Sequence, residues 1–183
     1  TIGKNAFAYC GSLSNITFPD SVTTIGAGAF YGSGISKLTI PDSVRSIGNG
    51  AFFYCYIKEA TLPTYALQYI EQGYLEKVVL TSGVSLQRYD FNHNNPMTSV
   101  TLPDSMRILD KYAFENCDAL KTVIFGENSQ LKTIGENAFS YTSLVNVVIP
   151  ESCIAVKGEA FANISSLEIA IIQGVPTLTT SAF

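Results

Sequence analysis

The sequence predicts an α/β-type but strand-rich solenoid, in which stacked coils of roughly 22–23 residues form one parallel sheet with short helical or 3-10 turns on the opposite side. Two observations support this prediction: a phrase that recurs along the whole chain, and alternating apolar residues within each copy of it. The phrase "SLSNITFPDSVTTIGAGAF" at 12–30 returns as "GISKLTIPDSVRSIGNGAF" at 34–52, and in a shorter form at 97–114. Self-similarity at a period of roughly 20–50 residues is typical of repeat proteins.

Each copy contains a pattern of the form L-x-x-I-x-I-P, whose alternating apolar residues predict a short strand with one buried face. The proline ends the strand because it has no N–H group to donate, and the Asp-Ser that often follows favours a turn. A second, shorter extended piece is predicted at the V-x-x-I that comes next. The predicted first strands centre near Ile16, Leu38, Ala60, Val78, Val100, Val123, Val147 and Ala170.

The remaining part of the repeat, I-G-x-x-A-F-x-x-C, predicts a turn with a single helical or 3-10 turn, because the repeat is too short for an average helix. Its phenylalanines and alanines are expected to form two buried columns. The phenylalanine column is Phe7, Phe30, Phe52, Phe91, Phe114, Phe139, Phe161 and Phe183. The alanine column is Ala6, Ala29, Ala51, Ala113, Ala138, Ala160 and Ala182.

A unit of this size cannot bury a core alone, so the copies are expected to stack with their strands parallel. We therefore expect a single solenoid domain over 1–183, with about eight repeats. The middle of the chain is irregular: a truncated repeat at 69–85 lacks the A-F-x-x-C piece, and the next copy has Asp90 where alanine is expected. Neither end shows a polar capping repeat, so we expect the chain to be part of a longer protein.

These motifs resemble the BspA-like class of leucine-rich repeats, also called the Treponema pallidum type. The matching stretches are "IGKNAFAYCGSLSNITFPDSV" at 2–22, "IGAGAF" at 25–30, "IGNGAFFYC" at 47–55 and "IGENAF" at 134–139. The resemblance covers nearly the whole chain. It implies a leucine-rich repeat solenoid on a cell-surface or secreted protein, and links the chain to adhesion, including binding of extracellular-matrix or serum proteins.

Composition argues against several other functions. Only 14% of the residues are charged, against about 25% in typical chains. The net charge is -4 and no run of Lys or Arg occurs, which argues against nucleic acid and against anionic membrane surfaces. The chain has no stretch of about 20 apolar residues, so we expect no membrane insertion by this segment.

The four cysteines do not have the spacing of a metal site. Cys10, Cys55 and Cys117 occupy one column of the repeat, and Cys153 lies in another. Because parallel strands stack about 4.8 Å apart, Cys10 and Cys55, two coils apart, are too far from each other for a disulfide. We therefore expect buried thiols of the core.

One loop collects the other candidate groups, "DFNHNNPM" at 90–97, which contains the single histidine, His93. Neither a zinc motif nor a nucleophile elbow is present, so His93 is predicted to be an ordinary loop residue. Asp90, Asn92 and Asn94 faintly resemble the start of a calcium loop, but the glycine and the closing glutamate are missing. The sequence thus predicts no catalytic residue, no cofactor site and no metal site.

Recurrent carboxylates form another candidate set, because an acidic residue follows the proline in several copies. Paired carboxylates could serve acid–base chemistry or hold a metal. Their repetition in register with the fold instead favours turn capping. The residues are Asp20, Asp42, Asp104 and Glu151.

The exposed face of the strands carries the candidate binding site. One outward column changes from polar to apolar along the chain: Thr17, Thr39, Thr61, Val79, Thr101, Ile124, Val148 and Ile171. Strand propensity alone explains β-branched residues at such positions, but contiguous exposed apolar surface also marks interfaces. The predicted partner-binding face is Thr101, Ile124, Val145, Val148, Ile169 and Ile171.

These observations favour a non-enzymatic protein-interaction module. The alternative is a structural spacer that holds another domain away from the cell surface. A third hypothesis, an enzyme, would need a catalytic domain outside this chain.

Overall fold

Fifteen short strands and two 3-10 helices make up the regular structure of the computed structural model, which describes all residues from 1 to 183. The strands, numbered in chain order, are β1 (Asn15–Ile16), β2 (Thr24–Ile25), β3 (Lys37–Thr39), β4 (Ser46–Ile47), β5 (Glu59–Leu62), β6 (Lys77–Leu80), β7 (Ser85–Leu86), β8 (Ser99–Leu102), β9 (Ile108–Leu109), β10 (Thr122–Phe125), β11 (Thr133–Ile134), β12 (Asn146–Ile149), β13 (Ala155–Val156), β14 (Ile169–Ile172) and β15 (Thr177–Leu178). The 3-10 helices are Thr64–Tyr69 and Gln72–Tyr74.

The chain divides into two units, Thr1–Thr81 and Ser82–Phe183, and the boundary falls inside the truncated repeat predicted at 69–85. Each unit is a stack of coils, and residues at equivalent positions of consecutive repeats pair with each other. For example, Lys37 of β3 pairs with Glu59 of β5. The two 3-10 helices lie in the first unit and precede β6, in and just before the truncated repeat. The prediction of a single domain over 1–183 stays a prediction.

The eight predicted first strands are all present, and every pairing between them within a unit is parallel. In the first unit β1, β3, β5 and β6 form one continuous ladder. In the second unit β8 pairs with β10, and β12 pairs with β14. The parallel solenoid is therefore confirmed.

The predicted second extended pieces are also present, as short strands that each span a pair of residues. They stack in parallel as β2 on β4 in the first unit. In the second unit they form one run of five strands, β7, β9, β11, β13 and β15. Most coils therefore have two short extended sides, whereas the coil that carries β5 has 3-10 helix in place of the second strand.

The A-F-x-x-C segments form hydrogen-bonded turns and not helices. Their amides bond to the neighbouring coil as a sheet would: the Phe30 N–H donates to the Ala51 carbonyl at 2.8 Å. Residues with positive φ lie two positions before and two after most of the phenylalanines, as at Asn5 (56°) and Tyr9 (59°). These left-handed residues turn the chain too sharply for a helix to continue, so 3-10 helix occurs only at 64–69 and 72–74.

The phenylalanine column is the centre of each core. Consecutive rings stack with centroids 5.3 Å apart from Phe7 through Phe30 to Phe52. In the second unit the column runs from Phe91 to Phe183 at 5.1–5.2 Å. Most members are buried, as predicted.

Three residues depart from the predicted burial of the columns. Phe7 and Phe183 are 37% and 45% exposed, because each lies in the first or last coil and has no further coil packed on its outer face. Ala6, beside Phe7, is exposed for the same reason. The other alanines of the column are buried.

Candidate functional site

The predicted partner-binding face lies on the first strands of the second unit. Thr101 of β8 stands opposite Ile124 of β10, and Val148 of β12 stands opposite Ile171 of β14. Ile124 is 49% exposed and Val148 41%, so large parts of these apolar side chains contact solvent. Ile169 and Ile171 are similarly exposed, whereas Thr101 is half-buried.

The face consists of two adjoining parts and not of one uninterrupted ladder. The β8–β10 pair contributes Thr101 and Ile124, and the β12–β14 pair contributes Val148, Ile169 and Ile171. Val145, half-buried, immediately precedes β12. No strand ladder joins β10 to β12.

A groove of about 1130 Å³ lies where that ladder is missing. It is lined by the end of β10, the loop that follows it, Val148 of β12, and the turn at 150–152. Sequence analysis did not predict this groove. The signal for it was the long interval between Leu109 and Ile134, which places extra residues in the loop after β10.

Two of the carboxylates after the prolines accept hydrogen bonds from other coils. The Asp104 Oδ1 accepts a hydrogen bond from the Asn128 N–H at 3.2 Å, and the Asp42 Oδ1 accepts one from the Thr81 hydroxyl at 3.1 Å. For Asp42 and Asp104 the carboxylate therefore has a structural role, and this role extends beyond its own turn. The partner lies in a later coil, because stacking brings the turns of successive coils together.

Three of the cysteines are buried, as predicted, and their thiols bond to backbone carbonyls. The Cys117 Sγ donates to the Phe91 carbonyl at 2.9 Å, and the Cys55 Sγ donates to the Phe30 carbonyl at 3.1 Å. Burial raises the pKa of the Cys117 thiol to about 12, and it also raises the pKa values of Cys55 and Cys153. Such thiols stay protonated and are poor nucleophiles or ligands.

Cys10 departs from the prediction of a buried thiol, because it is exposed. It belongs to the same coil as Phe7, at the open face of the first phenylalanine stack. All four cysteines are free.

The loop at 90–97 uses its polar groups to hold its own conformation. The Asp90 carboxylate accepts a hydrogen bond from the Gln87 N–H at 2.7 Å, and burial raises the pKa of Asp90. His93 is exposed with a φ of 60°, and its N–H donates to the Glu115 carbonyl. No group of three or more His, Cys, Asp or Glu residues is arranged to hold a metal ion.

Tyrosines on the turn side were also missed by sequence analysis. Tyr9, Tyr54 and Tyr141 follow the column phenylalanine by two positions, and Tyr89 and Tyr112 precede it by two. All five have positive φ values between 57° and 68°. Glycines at the equivalent positions Gly28, Gly32 and Gly50 were the available signal, because glycine is the usual residue at positive φ.

None of the helices is long and apolar enough to cross a membrane.

Comparison with protein families gives one match. The model described as "BspA type Leucine rich repeat region" matches residues 1–86 and 84–183, with six copies. No curated protein matches the chain.

Solved structures of bacterial leucine-rich repeat proteins are similar to this chain. One from Bacteroides ovatus is 27% identical with a TM-score of 0.55, over 97% of this chain and 42% of the other. A leucine rich cell surface protein from Faecalibacterium prausnitzii is 22% identical with a TM-score of 0.47, over 94% of this chain and 57% of the other. The chain therefore spans less than half of the Bacteroides protein.

Proposed function

The chain belongs to the BspA-type leucine-rich repeat family, and we propose that it is a non-enzymatic protein-interaction module of a cell-surface or secreted protein. Repeat solenoids typically bind proteins on an extended surface to which every coil contributes. The buried, protonated thiols and the structural use of the carboxylates support a binding role over a catalytic one.

The single observation that carries this proposal is the exposed apolar face of the second unit. Ile124, Val148 and Ile171 each expose more than two fifths of their surface, at a strand position where three of the four first-unit copies have threonine. Apolar side chains that stand exposed together commonly mark a protein interface. The low charge of the chain suits a surface that desolvates readily on binding.

Adhesion to host matrix or serum proteins is the finer part of the proposal. It rests on the family, whose members are linked to such binding, and not on the chemistry of any residue here. The proposed location, at the cell surface or secreted, likewise rests on the family.

The test is capture of proteins from a panel of purified matrix and serum proteins on the immobilised chain. Replacing Ile124 and Val148 together by Thr should keep the melting temperature nearly unchanged and weaken capture by about tenfold or more, since central apolar residues carry most binding energy. Val79→Thr is the matched control, because Val79 occupies the same column in the first unit.

Equal capture by the double variant and the parent would show that this face is not the binding site. If no panel member binds either protein, the chain is better explained as a structural spacer.

A further inference from the structure

The groove beside the proposed face is a gap in an otherwise regular stack. In the first unit every consecutive pair of first strands is joined by a ladder. In the second unit β10 has β8 on one side and no paired strand on the side toward β12. The same two coils are nevertheless closely stacked at the turns, where the Phe114 and Phe139 rings lie 5.1 Å apart. This partial separation is confined to the strand side, where β10 and β12 remain neighbours but form no ladder.

The loop after β10 causes this separation and is held in a defined position. The Asn128 N–H donates to the Asp104 carboxylate, and the Gln130 N–H donates to the Asp104 carbonyl at 2.9 Å. A Cβ atom at Gly126 would lie 1.8 Å from the Asp104 Oδ1, so any other residue would displace this carboxylate. The groove is therefore built into the fold before any ligand arrives.

The gap uncovers apolar surface that other coils bury. Phe125, at the end of β10, is half-buried, whereas its counterpart Ile149 in β12 is fully buried. Val123 is 8% exposed against 2% for Val147. Phe125 and Val123, together with the exposed Ile124 and Val148, form the apolar part of the groove lining.

A buried hydroxyl beside the groove has lost its usual partner. In other coils the serine of the P-D-S turn donates to the preceding coil: Ser43 to the Val22 carbonyl at 3.0 Å, and Ser105 to the Gly83 carbonyl at 2.9 Å. Ser152 occupies the equivalent position, and its Oγ is buried without any hydrogen-bond partner. A buried polar atom without a partner costs free energy, so its retention needs an explanation.

The charge and size of the groove indicate what fills it. Its lining includes Glu127 and Glu151, both exposed, and no Lys or Arg. Its volume is larger than the roughly 300–1,000 Å³ of small-molecule sites. A groove lined by apolar side chains and two carboxylates suits a peptide segment that carries apolar and basic side chains.

We propose that the groove between β10 and β12 receives an extended peptide segment of the protein partner, with a basic side chain toward Glu127 and Glu151. Its apolar side chains pack on Phe125, Ile124 and Val148, and its backbone bonds to the Ser152 hydroxyl. This inference rests on the proposed function and names the class of segment that the module recognises.

The experiment selects peptides from a random linear library displayed on phage, with the immobilised chain as bait. The enriched peptides should carry Lys or Arg next to alternating apolar residues, and synthetic copies should bind the chain in solution. The charge-reversal variant Glu127→Lys/Glu151→Lys should bind these copies at least about tenfold more weakly. The matched control is Asp118→Lys/Glu136→Lys, which changes the same charge at exposed positions outside the groove.

The variant Ser152→Ala tests whether the hydroxyl binds peptide, because a purely structural hydroxyl would affect stability and not peptide affinity. Removing an unpartnered hydroxyl should leave the melting temperature unchanged or raise it. Peptide affinity should fall by about two- to tenfold, the worth of one hydrogen bond.

Absence of enrichment, enrichment of acidic peptides, or equal binding by the charge-reversal variant and its control would overturn the inference. So would a dimer of the chain that dissociates in the charge-reversal variant, since a second copy would then fill the groove. If the parent and the charge-reversal variant capture panel proteins equally, this inference is wrong and the proposed function still holds. Failure of both the panel and the library would reject both.

Discussion

The turns depend on residues in the left-handed conformation, and the chain often uses tyrosine there. A bulky residue at positive φ is a genuine outlier, because its Cβ approaches the following carbonyl. Asn116 and Asn163 occupy the column that Tyr141 shares, and asparagine tolerates this conformation better. The strain at the tyrosines is accepted because hydrogen bonds to neighbouring coils fix the backbone.

Replacing Tyr141 by Asn should therefore cost little stability. Tyr56 is a fair control: both rings are at least half exposed, but Tyr56 does not have a positive φ. We expect Tyr141→Asn to be more stable than Tyr56→Asn by about 1 kcal/mol, the cost of a left-handed residue. Urea unfolding of both variants measures the difference, and equal losses would show that the tyrosine backbone is not strained.

The Cys117 thiol should make stability depend on pH in the alkaline range. Its pKa is raised to about 12 in the folded chain, so the unfolded chain loses this proton first as the pH rises. The contribution of this thiol to the free energy of unfolding is therefore fully present below about pH 9. It should be lost between about pH 9 and 12, at about 1.4 kcal/mol per pH unit.

The measurement compares the parent with Cys117→Ala in urea unfolding from about pH 8 to 10.5. The parent should lose stability faster than the variant above about pH 9. Parallel curves would mean that the thiol is not protected from ionising in the folded chain.

At the scale of the elements, each core is a stack of phenylalanine rings bounded by very short strands. Strands of this length contribute few hydrogen bonds, so burial of the rings supplies much of the free energy of folding. Ring centroids about 5 Å apart let each phenylalanine inside a stack contact one neighbour on each face.

Phe52 and Phe53 offer a direct comparison, because they are adjacent in sequence and opposite in burial. Phe52 is fully buried and stacks on Phe30, whereas Phe53 is 39% exposed. Phe52→Ala should lower the free energy of unfolding by about 3–5 kcal/mol, since it opens a cavity in the core. Phe53→Ala should cost clearly less, and similar losses in chemical denaturation would mean that the column does not carry the core.

The sequence was sufficient to predict the elements that repeat, and insufficient where one copy differs. Val100 and Val147 lie at the centres of regular strands because every copy follows the same alternation. The gap between β10 and β12 depends on how the residues after Phe125 contact Asp104, which a repeat pattern does not encode. The predicted face residues could be placed on the strands, but their division between two separate ladders could not.

At the scale of the whole molecule, function follows from what the repeats leave exposed. The two units have the same coil but different outward columns, threonine-rich in Thr1–Thr81 and apolar in Ser82–Phe183. Since the coil itself requires neither composition, the difference is free to serve recognition. A partner should therefore engage the second unit through its strand side, and leave the turn side in solvent.

Hydrogen exchange of the chain, alone and with a captured panel protein, tests this account most directly. We expect the partner to slow exchange in the segments 122–129 and 146–152, which form β10, β12 and the groove, and to leave the turn segment 137–142 unchanged. Protection confined to the turn segments, or to residues 1–81, would contradict the proposal that the strand face of the second unit is the binding surface.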